Sequence, residues 1–168
     1  MLNKKLIYLL LPILIFISCS KENLKQSVIN EKSLDMQVYE AYSEGLKSLE
    51  SGDVLFAAKK FNEAETLFPQ SIWAPRSALM AAYSYYIQDY YGDAVAELIR
   101  FKRVYPLNKN IDYANYLLAI CYYEQIVDEK KDLQSIIKAK ETFNIILKNY
   151  PNTEYAIDAE FKVDLIDD

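Results

Sequence analysis

Small, large and proline residues recur along this 168-residue chain at a constant interval. The first set comprises Gly45, Ala57, Phe61, Ala64 and Pro69. The second set lies 37 residues further on and comprises Ala82, Ala94, Leu98, Phe101 and Pro106. The third set begins after the same interval, resumes after an eight-residue insertion, and comprises Ala119, Ala139, Phe143, Ile146 and Pro151. Three sets in the same order indicate an internal structural repeat.

The order of these residue types is the signature of the tetratricopeptide repeat, a helical hairpin of about 34 residues. Small residues let two antiparallel helices approach closely, the large residue fills the space beside them, and proline ends the second helix. We therefore predict an all-α fold, a tetratricopeptide-repeat solenoid of antiparallel helical hairpins with about seven helices after a signal peptide. The domain spans 35–168, with repeats at about 35–69, 72–106 and 111–151 and an incomplete fourth repeat at about 153–168.

Three residues between the predicted helices suit the ends of helices. Gly52 suits the left-handed backbone conformation that follows a helix, and Asp53 suits the N-cap of the next helix. Thr153 likewise suits the N-cap of the last helix. The phase of the repeat and the chemistry of the turns thus predict the same boundaries.

Residues 1–18 have the features of an export signal. Two lysines precede an apolar run that is too short and wrongly flanked for a membrane-spanning helix. Cys19 directly follows the small residue Ser18 and resembles the cysteine of a bacterial lipobox, in which the signal peptide is cut off before a cysteine that has been lipid-modified. We therefore predict a lipoprotein signal peptide at 1–18, a covalent lipid on Cys19 and a flexible polar tether over 19–34. A plain signal peptide with an incidental cysteine is the alternative.

Composition narrows the classes of function. With 3 Gly, 5 Pro and 52% hydrophobic residues, the chain has the composition of a helical protein with a substantial core. Its net charge is −5 and its lysines are scattered, whereas nucleic-acid binding needs a concentrated basic surface. Histidine is absent, which excludes Ser-His-Asp catalysis and HExxH zinc sites. We expect no enzyme, no nucleic-acid ligand, and no metal or cofactor besides the lipid. Cys121 is expected to be a buried thiol.

In tetratricopeptide repeats the first helix of each hairpin lines the concave face, through repeat positions 2, 5, 9 and 12. The residues at these positions are Tyr39, Tyr42, Leu46, Leu49, Arg76, Leu79, Tyr83, Tyr86, Tyr113, Tyr116, Ile120 and Tyr123. Seven of the twelve are tyrosines, which combine a wide apolar surface with a hydroxyl. The set predicts a groove for an extended or hairpin peptide with aromatic side chains. Alternatively, several of these rings belong to the hairpin core or are covered by the next repeat. Arg76 is the one cation of the set, which disfavours the mode in which lysines and asparagines grip a terminal carboxylate.

Segments between the repeat-defining positions carry a closer resemblance to a known family. They are the lipobox Cys19, Phe68-Pro69 with Ser71-Ile72-Trp73-Ala74, Ala81-Ala82-Tyr83, the run Tyr105-Pro106-Leu107-Asn108-Lys109-Asn110-Ile111-Asp112-Tyr113-Ala114, Cys121-Tyr122-Tyr123-Glu124-Gln125, and Tyr150-Pro151-Asn152-Thr153-Glu154-Tyr155-Ala156 with Asp158-Ala159. Together they resemble the BamD family of outer-membrane lipoproteins, which belong to the β-barrel assembly machinery. The resemblance extends over nearly the whole chain from Cys19.

This resemblance implies a location at the periplasmic face of the cell outer membrane of a Gram-negative bacterium. In the family, the N-terminal repeats are thought to receive C-terminal segments of unfolded outer membrane proteins, which end in an aromatic residue. Later repeats dock the barrel-forming subunit BamA. This chain ends inside the fourth repeat, so we expect it to be shorter than the family design. That leaves the contacts with BamA and the other subunits open. A repeat scaffold lipoprotein that joins folded envelope proteins through its outer surfaces is the alternative function.

Overall fold

The computed structural model describes residues 33–128 and 133–168. These residues form seven α-helices: α1 (Leu34–Glu50), α2 (Val54–Leu67), α3 (Trp73–Tyr86), α4 (Tyr91–Val104), α5 (Ile111–Asp128), α6 (Leu133–Asn149) and α7 (Glu154–Asp167). No strand occurs within the described ranges, and the predicted all-α fold is confirmed. The predicted signal peptide, the predicted lipid attachment at Cys19 and nearly all of the predicted tether lie outside the described residues.

The turn between α1 and α2 has the predicted chemistry. Gly52 has a φ of 83°, in the left-handed region, and the Asp53 side chain accepts a hydrogen bond of 3.2 Å from the Phe56 amide. Thr153 occupies the N-cap position of α7 as predicted, but its side chain does not cap the helix. Its hydroxyl instead donates to the Tyr150 carbonyl at 2.8 Å. A hydroxyl has this alternative because it donates as well as accepts.

Each hairpin closes around a buried phenylalanine. Phe61, Phe101 and Phe143 are fully buried, and the small residues of the repeat pattern pack around them. Gly45 shows why a small residue is needed, since a Cβ atom at this position would lie 2.7 Å from the Phe61 ring. The residues of the repeat signature therefore lie where two helices cross most closely.

A methyl group at Gly45 should therefore destabilise the fold. We expect Gly45→Ala to lower the free energy of unfolding by about 1–2 kcal/mol, because overpacking costs more than the gain in helix propensity. Gly92→Ala is the matched control, since a Cβ there meets no atom within 4 Å. Chemical denaturation of both variants measures the difference. A Gly45→Ala variant as stable as Gly92→Ala would contradict this packing argument.

The helices stack in chain order, and neighbouring hairpins lie closer together along one side of the stack than along the other. Among the described helices, the first helices of successive hairpins approach one another, α1 with α3, α3 with α5 and α5 with α7. The second helices α2, α4 and α6 show no such close approach to each other. A stack that is narrower on one side curves toward it, so the first helices form the inner wall of the curve.

Long polar side chains join the second helices on the outer side. Arg100 on α4 donates two hydrogen bonds to the Glu65 carboxylate on α2, at 2.8 and 2.6 Å, and one to Glu97 at 2.8 Å. The Tyr105 hydroxyl donates to Glu65 at 2.7 Å. The hydrogen bond to Glu65 is the main cause that raises the pKa of Arg100 above its ordinary value. We call these four residues the outer clamp.

Candidate functional site: a tyrosine-lined groove

The inner wall contains a groove of about 490 Å³ between α3 and α5. Its lining residues are Arg76, Leu79, Met80, Tyr83, Asn110, Tyr113 and Tyr155. We call it the central groove. The repeat phase predicted four of these residues for the concave face, namely Arg76, Leu79, Tyr83 and Tyr113. The structure thus brings residues from three successive first helices, or from the turn before one of them, around one opening.

The phenols of the central groove are available for hydrogen bonding. The hydroxyls of Tyr83, Tyr113 and Tyr155 form no hydrogen bond with any residue of the described part of the chain. Burial, with a smaller effect of the Tyr83 and Tyr155 phenols, raises the pKa of Tyr113 to about 12. The Tyr113 hydroxyl is therefore neutral and a donor at physiological pH. The groove offers apolar walls with hydroxyl groups able to meet peptide amides.

Arg76 supplies the positive charge of the groove. Its side chain is exposed, and its guanidinium lies 5.4 Å from the centre of the Tyr42 ring and 5.5 Å from that of Trp73. No carboxylate among the described residues forms an ion pair with it. The cation is therefore held over aromatic faces and keeps its charge uncompensated at the groove.

The first repeat differs from the expected wall. Tyr39 and Leu46 are exposed as predicted, but Tyr42 is only 4% exposed and packs against Phe61 and Trp73 at 5.2 and 5.1 Å between ring centres. The expectation that Tyr42 faces an open groove needs correction. The indole from the next repeat covers it, so the ring belongs to the core of the first hairpin.

Several predicted wall residues in the later repeats are half-buried. Tyr86 lies beside Tyr83 and Tyr91, with ring centres 6.3 and 6.2 Å apart, and burial raises its pKa. Burial also raises the pKa of Tyr116, whose hydroxyl donates to Asp158 at 2.7 Å. The Tyr86 and Tyr116 rings are therefore packed against neighbouring residues of the inner wall, and only part of each ring is exposed.

At the far end of α5, Tyr123 packs edge-on against Phe143, with the Lys162 ammonium 4.8 Å from the centre of the Tyr123 ring. Ile120 is buried in the core around Phe143, and Leu49 packs partly buried on the first core. Neighbouring side chains thus cover these three predicted wall residues partly or fully.

Three lining residues escaped the sequence reasoning: Met80, Asn110 and Tyr155. Asn110 and Tyr155 share one position of the repeat with Trp73, each four residues after a repeat-ending proline. If this position after the proline had been considered together with repeat positions 2, 5, 9 and 12, the sequence would have predicted Asn110 and Tyr155 as lining residues. Met80 follows Leu79 directly and has no separate signal.

Other candidate chemistry is limited in the described ranges. Cys121 is buried as predicted, and burial raises its pKa to about 12. No group of three or more His, Cys, Asp or Glu in residues 33–128 and 133–168 could hold a metal ion. No described helix combines the length and the apolar character needed to cross a membrane.

Comparison with known proteins identifies the family. The sequence model of the YfiO family, described as outer membrane lipoprotein, matches residues 34–168. The chain belongs to the YfiO family of outer membrane lipoproteins. This match covers all seven described helices and includes every lining residue of the central groove.

Relatives of this YfiO member share the name outer membrane protein assembly factor BamD. The chain is 41% identical to the protein of Caulobacter vibrioides over 127 residues, which are 76% of this chain and 42% of that one. It is 35% identical to that of Rickettsia prowazekii, over 76% of this chain and 51% of the other. Identity to the Neisseria meningitidis serogroup B protein is 31%, over 79% and 54%. The chain thus spans about half the length of the curated relatives that it matches.

Proposed function

We propose that this chain is a non-enzymatic outer-membrane lipoprotein of the β-barrel assembly machinery, which binds unfolded segments of outer membrane proteins in its central groove and acts in their insertion. The observation that carries the proposal is the central groove itself, with three hydroxyl-bearing rings and one exposed cation. The family description and the shared name of the relatives support the assembly role.

The chemistry of the groove suits a segment of an unfolded barrel. Strands of outer-membrane barrels alternate apolar and polar side chains, and aromatic residues gather at both ends of each strand. Such a segment, still unpaired, presents free backbone amides together with aromatic side chains. Phenol hydroxyls meet the amides while ring faces cover the apolar side chains, which is the combination that Tyr83, Tyr113 and Tyr155 offer.

A lipid on Cys19 is the proposed membrane anchor. The apolar run before Cys19, the small Ser18 and the family description support it. Several acyl chains on one cysteine hold a protein on a membrane where a single chain binds reversibly. BamA and other subunits of the machinery are proposed partners on the strength of the family resemblance alone.

A peptide-binding measurement tests the proposal. The probe is a short fluorescent peptide of alternating polar and apolar residues, with one phenylalanine at its C-terminus. We expect Tyr83→Ala and Tyr113→Ala each to weaken binding about 10-fold, because each removes a ring and a hydroxyl from the groove wall. Fluorescence anisotropy gives the dissociation constants.

Tyr90→Ala is the control for the same substitution outside the groove, since Tyr90 is exposed in the turn before α4. It should bind the peptide as the unchanged chain does. Equal binding by all three variants would place the peptide elsewhere and refute the groove as its site.

A scaffold that joins folded envelope proteins is the second candidate, favoured by two residues in the turns between repeats. Ile72 is 87% exposed and Leu107 is 96% exposed, and both lie on the edge where second helices end. Both are apolar side chains left in water, and a partner protein that covered them would gain from their burial. In this case Ile72→Ser with Leu107→Ser would lose a partner protein, whereas Tyr113→Ala would keep it.

A further inference from the structure

One position of the repeat is filled by a ring at two of the three junctions between first helices. It is the fourth residue after the repeat-ending proline, occupied by Trp73, Asn110 and Tyr155. The Trp73 ring lies 6.5 Å from that of Tyr39 and 5.1 Å from that of Tyr42, on the preceding first helix. An aromatic side chain thus closes the junction between α1 and α3.

The same arrangement recurs at the junction between α5 and α7. The Tyr155 ring lies 5.8 Å from that of Tyr113 and stacks on that of Tyr116 at 5.0 Å. Tyr113 and Tyr116 hold repeat positions 2 and 5, as Tyr39 and Tyr42 do in the first repeat. The first and the last of the three junctions are therefore each closed by a ring that packs on repeat positions 2 and 5.

The middle junction lacks this ring. Its residue is Asn110, and repeat positions 2 and 5 there are Arg76 and Leu79. All three line the central groove of about 490 Å³. The groove therefore includes the position that a ring fills at the other two junctions, where the short asparagine side chain leaves space.

We propose that an aromatic side chain of the bound peptide occupies this space, stacking on the Arg76 guanidinium and packing against Leu79. This inference rests on the proposed function and adds to it the residue that opens the site, Asn110, and the residues that hold the ring. The Arg76 guanidinium lies 5.4 and 5.5 Å from the centres of the Tyr42 and Trp73 rings, so it already interacts with aromatic rings, and Arg76 also lines the central groove. At the middle junction the peptide ring thus takes the place that Trp73 takes at the first junction and Tyr155 at the last.

The chemistry favours a flat ring over an aliphatic side chain. A guanidinium attracts the face of an aromatic ring through the ring quadrupole, and a leucine of similar size lacks that attraction. The exposed position of Arg76 and its lack of an ion pair with any described carboxylate leave it able to stack. Asn110 therefore sets the specificity of the groove by its small size.

The first test fills the space from within. Asn110→Trp introduces at the middle junction the residue found at the first, and we expect it to weaken binding of the phenylalanine peptide at least about 10-fold. Lys109→Trp is the matched control, because it places the same ring one residue earlier in the same turn, at an exposed position outside the groove lining. It should bind the peptide within about 3-fold of the unchanged chain. Circular dichroism and chemical denaturation should show Asn110→Trp folded, with the helical content of Lys109→Trp.

The second test changes only the ligand, so it stands even if Asn110→Trp does not fold. Replacing the single phenylalanine of the peptide by leucine should weaken binding to the unchanged chain about 5-fold or more. Equal binding of both peptides, or full binding by a folded Asn110→Trp, overturns the ring site while the proposed function stands. No binding of the phenylalanine peptide to the unchanged chain overturns both.

Discussion

Replacing Phe101 by alanine should lower the free energy of unfolding by about 3–5 kcal/mol, the largest effect that we expect from a single core substitution. Phe101 is fully buried and belongs to the core that α3, α4 and α5 share. Truncation therefore removes transfer free energy and leaves a cavity between two hairpins, which the surrounding helices cannot fill without losing their crossing geometry.

Phe161→Ala is the matched control, because the same truncation is made at a ring that is 60% exposed. It should change the free energy of unfolding by no more than about 0.5 kcal/mol. Chemical denaturation followed by helical circular dichroism measures both. If the two variants unfold at the same denaturant concentration, the shared core does not hold the hairpins together in the way described.

Replacing Arg100 by alanine should cost about 2–3 kcal/mol, the second-largest effect. The substitution leaves the nearly buried Glu65 carboxylate with the Tyr105 hydroxyl as its remaining partner in the outer clamp. A buried charge that loses its main partner carries a desolvation cost that water cannot offset. The cost should depend little on salt, because the pair is largely shielded from solvent.

The control is Arg103→Ala, three residues further along α4, in the last turn of the helix and exposed. It should change stability by about 0.5 kcal/mol or less. Denaturation at low and high salt separates the two variants. A cost for Arg100→Ala as small as that for Arg103→Ala would mean that the outer clamp contributes nothing beyond surface electrostatics.

The fold was predictable from sequence because its main determinants are local or strictly periodic. Gly52 and Asp53 act within one turn, and the recurring large and small residues mark helix crossings wherever they occur. Thr153 occupies the predicted N-cap position, but the partner of its hydroxyl was not predictable, because two backbone partners lie nearby and sequence alone does not rank them.

The site was only partly predictable, since repeat phase gives the direction of a side chain and not what covers it. Arg76 and Tyr113 follow from the phase alone. Tyr42 has the same phase and yet is buried, because Trp73 from the next repeat lies on it. The role of Asn110 depends on comparing three junctions in space, which requires the distances between rings.

Photo-crosslinking tests the central claim most directly. A peptide with benzoylphenylalanine in place of its single phenylalanine is bound to the chain, irradiated, and the crosslinked residues are located by mass spectrometry. The structure predicts crosslinks to the lining of the central groove, foremost to Met80, Leu79 and Tyr113. Crosslinks confined to the outer faces of α2 and α4, or to the turns at Ile72 and Leu107, would contradict the claim that the inner wall receives the peptide.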